Sequence, residues 1–144
     1  RVLPIPVAPP NDPPALTPQC DNNNPGDMVE IFDLTVNAAY IINGDPNVTL
    51  HYFANVVDAM ANTNEILTPT AASVGQNVWI RVENNRVDYQ GNNCYVIVEQ
   101  ALTVNPLPTV AISYSNSTNN SEPNFNTINL YQHLKSTNDL CSSN

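Results

Sequence analysis

Hydrophobic and polar residues alternate along several short stretches of the chain, as in strands that bury one face. The clearest stretch is NVWIRVEN (77–84), in which valine or isoleucine occupies every second position. NVTLHYFA (47–54) alternates in the same way, and strands are also predicted at MVEIFDLT (28–35) and CYVIVEQALTV (94–104). Spacers rich in Asn, Pro and Gly separate these stretches. No long helical stripe is present, although the pattern leaves room for a helical turn at 56–61.

Short strands and turn-rich spacers together predict an all-β protein, and specifically an Ig-like antiparallel β-sandwich repeat. Residues 1–19 contain seven prolines and are predicted to form an extended linker or edge segment. The sandwich repeat is predicted at 20–108. We expect 109–144 to be the incomplete beginning of a second repeat.

A weak internal repeat is the basis for that second unit. Pro4-Ile5-Pro6-Val7 is echoed by Pro106-Leu107-Pro108-Thr109, and IFDL (31–34) is echoed by TINL (127–130). The two matches occur in the same order and at nearly the same offset. A period of this size is typical of tandem Ig-like domains.

Composition and charge exclude some functions. The net charge is −9, and the four cations, Arg1, Arg81, Arg86 and Lys135, form no basic patch that could neutralise phosphates. We therefore expect no nucleic-acid partner. No apolar run is long enough for a membrane span. The first residues lack a signal-peptide core, so we expect the chain to be a piece of a longer protein.

Three cysteines, Cys20, Cys94 and Cys141, match no zinc or redox motif. An odd number fits one disulfide plus a cysteine whose partner is absent from this chain. Three buried free thiols are the alternative.

An ordered series of motifs resembles the tandem adhesin repeats of Bacteroidetes surface proteins, including the gliding-motility adhesins exported by type IX secretion. The series spans roughly 4–108 and consists of APPND (8–12), CDNNNPGDMVEIFDLT (20–35), VTLHYFANVVDAMANTNEI (48–66), VWIRVEN (78–84), NNCYVIV (92–98) and LTVNPLP (102–108). The chain departs from these repeats after Cys20, where Pro25-Gly26-Asp27 replaces an Asp-Gly ending.

The resemblance implies a secreted, multi-domain protein of the cell surface. Such a protein would bind surfaces or polysaccharides, or space a binding tip from the cell. Its partners would be neighbouring repeats of the same chain and, where it binds directly, surface polysaccharide.

Cys20 and Cys94 precede the first and last predicted core strands, whose ends could lie side by side in a sandwich. We therefore predict a Cys20–Cys94 disulfide, which an exported protein would allow. Two buried thiols are the alternative.

The loop that follows Cys20 is rich in oxygen ligands of the kind that calcium prefers. Asp21, Asn23, Asp27 and Glu30 are the candidate ligands of a structural calcium ion. No EF-hand spacing is present, and the alternative is an Asn-rich turn whose side chains bond their own backbone.

Trp79 and Arg81 are predicted to share a strand face and could form a platform for stacking sugars. A core tryptophan, or an arginine stacked on a neighbouring ring, is the favoured alternative.

No catalytic residues and no cofactor are predicted. A nucleophile elbow and a phosphate loop are both missing from the sequence. His51 and His133 stand alone in the sequence. We expect a structural or adhesive repeat and not an enzyme. The rival functions are a carbohydrate-binding module of a secreted enzyme and a pilin-like subunit that donates residues 1–16 to a neighbour.

Overall fold

A computed structural model describes residues 2–108. The predicted second unit, 109–144, lies outside the described residues. In chain order the elements are β1 (Gln19–Cys20), β2 (Glu30–Phe32), α1 (Ala38–Ile42), β3 (Val48–Phe53), α2 (Val56–Ala61), a 3-10 helix (Pro69–Ala71), β4 (Ala72–Val74), β5 (Val78–Val87), β6 (Asn93–Gln100) and β7 (Val104–Asn105). The helices of this part of the chain have at most six residues, too few to cross a bilayer.

The strands form three small sheets. β5 lies between β3 and β6, and both pairings are antiparallel. β2 pairs with β4 antiparallel, and β1 pairs with β7 parallel. The prediction of an all-β fold is confirmed.

One hydrophobic core takes residues from all three sheets. Val78, Ile80 and Val82 of β5 are almost fully buried, as their alternation predicts. Phe32 of β2 and Val74 of β4 belong to the same cluster. A core between a two-stranded and a three-stranded sheet supports the Ig-like sandwich, which otherwise stays a prediction.

Several elements differ from the sequence prediction. β2 is shorter than predicted, and Met28, two residues before it, has φ of 57°, a left-handed conformation outside the β region. The predicted strand 94–104 is divided into β6 and β7. The helix α1 and the strand β4 were missed, whereas the helical turn at 56–61 is confirmed as α2.

The Pro-rich residues 2–19, which we call the N-terminal strap, pack against the rest of the domain as an edge segment. Pro6, Pro9, Pro13 and Leu16 are its buried residues, spaced by three or four positions. Polyproline II helices repeat every three residues, so this spacing gives the strap one buried face. Leu16 belongs to the hydrophobic core itself.

The strap runs parallel to β6 and β7. Near its start, the Cys94 Sγ lies 4.0 Å from the carbonyl oxygen of Leu3. Near its end, the Leu16 N–H donates to the Ala101 carbonyl at 2.9 Å. The strap thus contacts the chain at both ends of β6.

Candidate functional site

Cys20 lies where the strap joins the end of the last strand. In the parallel β1–β7 pair, Cys20 is in register with Asn105. The flanking N–H groups of Gln19 and Asp21 donate to the carbonyls of Thr103 and Asn105 at 3.1 and 2.9 Å. These bonds fix Cys20 beside Asn105, which is three residues before Pro108, the last described residue.

The prediction of a Cys20–Cys94 disulfide is wrong. Cys20 is disulfide-bonded, but Cys94 is a free thiol. Cys94 lies at the start of β6, whereas Cys20 pairs with the last residue of β7. Cys94 and Asn105 are eleven positions apart along β6, residues 101–103 and β7, on the order of 30 Å in extended chain, whereas a disulfide requires Cα atoms within about 7 Å.

The partner of Cys20 therefore lies outside residues 2–108. Cys94 is the other cysteine in that range, and its thiol is free. The bridge leaves the domain at the same end as the main chain.

The loop after Cys20 is held by hydrogen bonds from backbone N–H groups to carboxylates. Asp21 is 1% exposed, and its Oδ2 accepts from the N–H groups of Gly26 and Met28 at 2.6 and 3.3 Å. Glu30 Oε1 accepts from the N–H groups of Asn22 and Asn23 at 2.5 and 2.6 Å. The two carboxylates thus accept hydrogen bonds from these loop N–H groups, as the carbonyl groups of a neighbouring strand would in a sheet.

Asp27 closes the same loop. Its Oδ2 accepts from the Asn24 amide at 2.9 Å, and its Oδ1 accepts from the Val29 N–H at 2.9 Å. These donors, Asn24 first, hold the pKa of Asp27 below 3.8 because they stabilise its charged form. The carboxylate is therefore ionised at neutral pH and bound to its own loop.

The four predicted calcium ligands lie in one loop but do not form a recognisable cation site. Within residues 2–108 no three acidic, His or Cys side chains come close enough together to hold a metal ion. Asn23 contributes its backbone N–H, and the carboxylates of Asp27 and Glu30 accept from loop donors. This arrangement supports the Asn-rich turn, and calcium stays a prediction.

The Arg81 side chain is buried and forms its hydrogen bonds within the domain. Its Nε donates to Glu83 Oε2 at 2.7 Å, and one terminal nitrogen donates to the carbonyls of Ala59 and Met60, both at 3.1 Å. The guanidinium lies 3.5 Å from the centre of the Tyr95 ring. Because the two carbonyls belong to the last turn of α2, Arg81 caps that helix.

Trp79 shares the sheet face of Arg81, and a sugar-binding platform formed by the two stays a prediction. Trp79 is half-buried and lines a shallow pocket of about 450 Å³ beside Gln76 and Glu99. Asn55 and Asn77 also line the pocket, but their side chains form hydrogen bonds within the domain. Asn55 bonds to Asp58, and Asn77 bonds to Glu99 and to the Leu102 N–H. With Arg81 only 7% exposed, the stacked-arginine alternative describes the face better.

Sequence reasoning missed the polar residues that fasten the strap. Gln100 is fully buried, and its Nε2 donates to the Pro14 carbonyl at 2.8 Å. The Asn37 amide donates to the same carbonyl at 2.7 Å and to Gln100 Oε1 at 2.8 Å. A glutamine at the end of a strand gives no signal of such a role in the sequence.

The model of the Flavobacterium inter-domain disulphide bond domain (FIDD) matches residues 16–108. The chain belongs to this family. No curated protein and no solved structure matches the chain. The match ends at the last described residue, so the bridge from Cys20 leaves the FIDD domain, in agreement with the family's description.

Membership of the FIDD family also indicates in which compartment the protein is found. Stable disulfides form in exported proteins and are rare in the bacterial cytosol. A FIDD domain whose Cys20 is oxidised therefore points to an exported Flavobacterium-type protein.

Proposed function

We propose that this chain is a structural repeat of a long adhesive protein of the bacterial surface, locked to the following unit by a Cys20–Cys141 disulfide. The observation that carries the proposal is the oxidised Cys20, whose partner lies beyond the FIDD domain. The module has no catalytic role in this proposal. It spaces and orients neighbouring units, and attachment to surfaces is a property of the assembled filament.

The pairing follows by elimination. The chain has three cysteines, and Cys94 is free, which leaves Cys141 for Cys20. Such a bridge closes a loop of about 120 residues, which in the chain-entropy model contributes about 5 kcal/mol to stability. A small exported unit gains from a constraint of this size.

Two covalent connections then leave the domain at one end. The main chain leaves through Pro106–Pro108, and the disulfide leaves from Cys20, which is in register with Asn105. A single peptide connection lets neighbouring domains rotate, whereas two adjacent connections restrict their relative orientation. This restriction supports a spacing role in a filament.

The rival functions have weaker support. A pilin-like subunit needs a free donor strand, but the N-terminal strap packs on its own β6 and β7. A carbohydrate-binding module needs exposed aromatic and polar groups, but Arg81 is buried and the amides beside Trp79 are bonded within the domain.

Peptide mapping of the non-reduced protein tests the proposal. We expect a peptide that joins Cys20 to Cys141, with Cys94 alkylated as a free thiol. The Cys94→Ser variant is the matched control and should give the same linked peptide. A Cys20–Cys94 peptide, or a Cys20 bridge between separate chains, would refute the proposal.

A further inference from the structure

We infer a mechanical function for the strap and Cys20: end-to-end tension passes along residues 2–20 and through the disulfide, while the body of the domain, residues 21–108, stays folded outside this path. The inference rests on the Cys20–Cys141 pairing proposed above. It goes further because it states which part of the domain carries force.

The strap spans the domain from one end to the other. At its start, the Pro4 carbonyl accepts from the Asn84 amide at 3.2 Å, close to where Leu3 meets Cys94. At its end, Cys20 is in register with Asn105, at the opposite end of the β6–β7 strand. Tension that enters at the strap therefore reaches the exit end of the domain at Cys20.

Without the disulfide, the same tension would shear β1 from β7. The bonds that resist this movement include those from the N–H groups of Leu16, Gln19 and Asp21 to carbonyls on the β7 side, at 2.9, 3.1 and 2.9 Å. Each contributes only about 1 kcal/mol net. Once they break, the force acts on Asp21 and Pro108 and unravels the strands between them.

With the disulfide, the force leaves the main chain at Cys20 and re-enters it at Cys141. Residues 21–140 then form a closed covalent loop that end-to-end tension does not stretch. The extension available to the oxidised chain is the contour length of the strap, about 70 Å for about 20 residues, minus the distance that the folded strap already spans. Unravelling residues 21–108 would instead release on the order of 300 Å.

The composition of the strap suits a segment under tension. Its prolines favour polyproline II, which is already extended and has no internal hydrogen bonds to lose. The strap supplies Leu16 to the hydrophobic core, Ala8 packs against that core, and Pro6, Pro9 and Pro13 are buried as well. The rest of that core comes from residues 32–104. The body therefore stays folded when tension peels the strap away.

Magnetic tweezers on the oxidised full chain, held by handles at its two ends, test the inference. Under tension we expect one short reversible extension of less than about 70 Å. A thiol reductant added while tension is held should cut the bridge. If the body is still folded, a second, separate step on the order of 300 Å follows after a delay.

The controls separate this inference from the proposal on which it rests. Cys94→Ser should behave like the parent chain, and Cys20→Ser should show the long step without reductant. In one outcome the Cys20–Cys141 bridge is mapped, but the chain extends fully at the moment of reduction and no later step follows. The body must then have unfolded before the bridge was cut. That result overturns the inference and leaves the disulfide proposal intact, whereas failure to map the bridge overturns both.

Discussion

The side-chain amide of Gln100 donates to the carbonyl of Pro14, which is 86 residues away in sequence, at 2.8 Å. Gln100 is fully buried at the end of β6, and the same carbonyl accepts from Asn37. This small polar network fastens the N-terminal strap to the body of the domain.

The Gln100→Leu substitution should loosen the strap. It leaves the Pro14 carbonyl with one donor and removes one of the two acceptors of the Asn37 amide. Each lost hydrogen bond typically costs about 0.5–1.5 kcal/mol net, so we expect the free energy of unfolding to fall by about 1–3 kcal/mol in chemical denaturation. Hydrogen exchange in residues 2–16 should increase more than exchange in β5.

Gln90 is exposed, so the Gln90→Leu variant is the control for loss of a glutamine. It should change neither the free energy of unfolding nor the hydrogen exchange of the strap. Equal increases of exchange in the strap and in β5 would contradict a local role for Gln100.

Arg81 should be a stability residue and not a ligand-binding residue. Arg81→Met removes the bonds to the α2 carbonyls and leaves Glu83 without its ion-pair partner. Breaking a buried ion pair on one side typically costs about 3–5 kcal/mol. We expect a destabilisation near the lower end of this range in thermal unfolding, since Glu83 is near the surface.

The double variant Arg81→Met, Glu83→Gln should recover part of this loss, because no unpaired charge then remains. An unchanged melting temperature in the single variant, together with weaker binding of a polysaccharide, would favour the sugar-platform prediction instead.

Gly75 allows β4 to approach the loop before β2. A Cβ at this position would lie 2.2 Å from the Met28 carbonyl oxygen, which no side chain tolerates. Gly75→Ala should therefore force a backbone shift and destabilise the domain by about 1–3 kcal/mol or more, measured by denaturant unfolding.

Gly91→Ala is the matched comparison. Its added Cβ meets no neighbour within 4 Å, but φ at this position is +83°. The expected cost is only the left-handed strain, about 1–2 kcal/mol. If Gly91→Ala were the more damaging of the two, the close approach at Gly75 would not be the controlling contact.

Features of this structure that arise from local burial can be predicted from the sequence, whereas contacts between distant segments cannot. The alternation in β5 comes from local burial, so Val78, Ile80 and Val82 could be assigned to the core before the structure was known. The role of Cys20 could not be assigned, because its register with Asn105 depends on the parallel β1–β7 pair. Parallel pairing of distant segments leaves no periodic pattern in the sequence.

The strap shows the same limit. Its prolines correctly predict an extended segment, but its attachment depends on Gln100, far away in the chain. The calcium site stays a prediction for a related reason. Clustered Asp and Asn residues look alike in a sequence whether they bind a cation or their own backbone N–H groups, and here Asp21, Asp27 and Glu30 accept from backbone N–H groups.

The first turn of α2 should lose stability in acid as the Asp58 carboxyl takes up a proton. Asp58 accepts from the amides of Asn64 and Asn55 and from the Thr63 hydroxyl, and these bonds, Asn64 first, hold its pKa below 3.8. A carboxyl whose folded pKa is lowered stabilises the folded state above its unfolded pKa. That stabilisation is lost as the pH falls from about 3.8 through the lower folded value.

We therefore expect faster hydrogen exchange in residues 56–61 as the pH falls below 3.8, after correction for the intrinsic rate. Asp58→Asn should abolish this added pH dependence. Asp33→Asn is the control: Thr35 likewise lowers the pKa of Asp33, but this carboxyl lies outside α2, so the response of α2 should persist. If Asp58→Asn left the acid response of α2 unchanged, another group would have to bind the proton, and the bonds from Asn64 and Asn55 would not be what stabilises this turn.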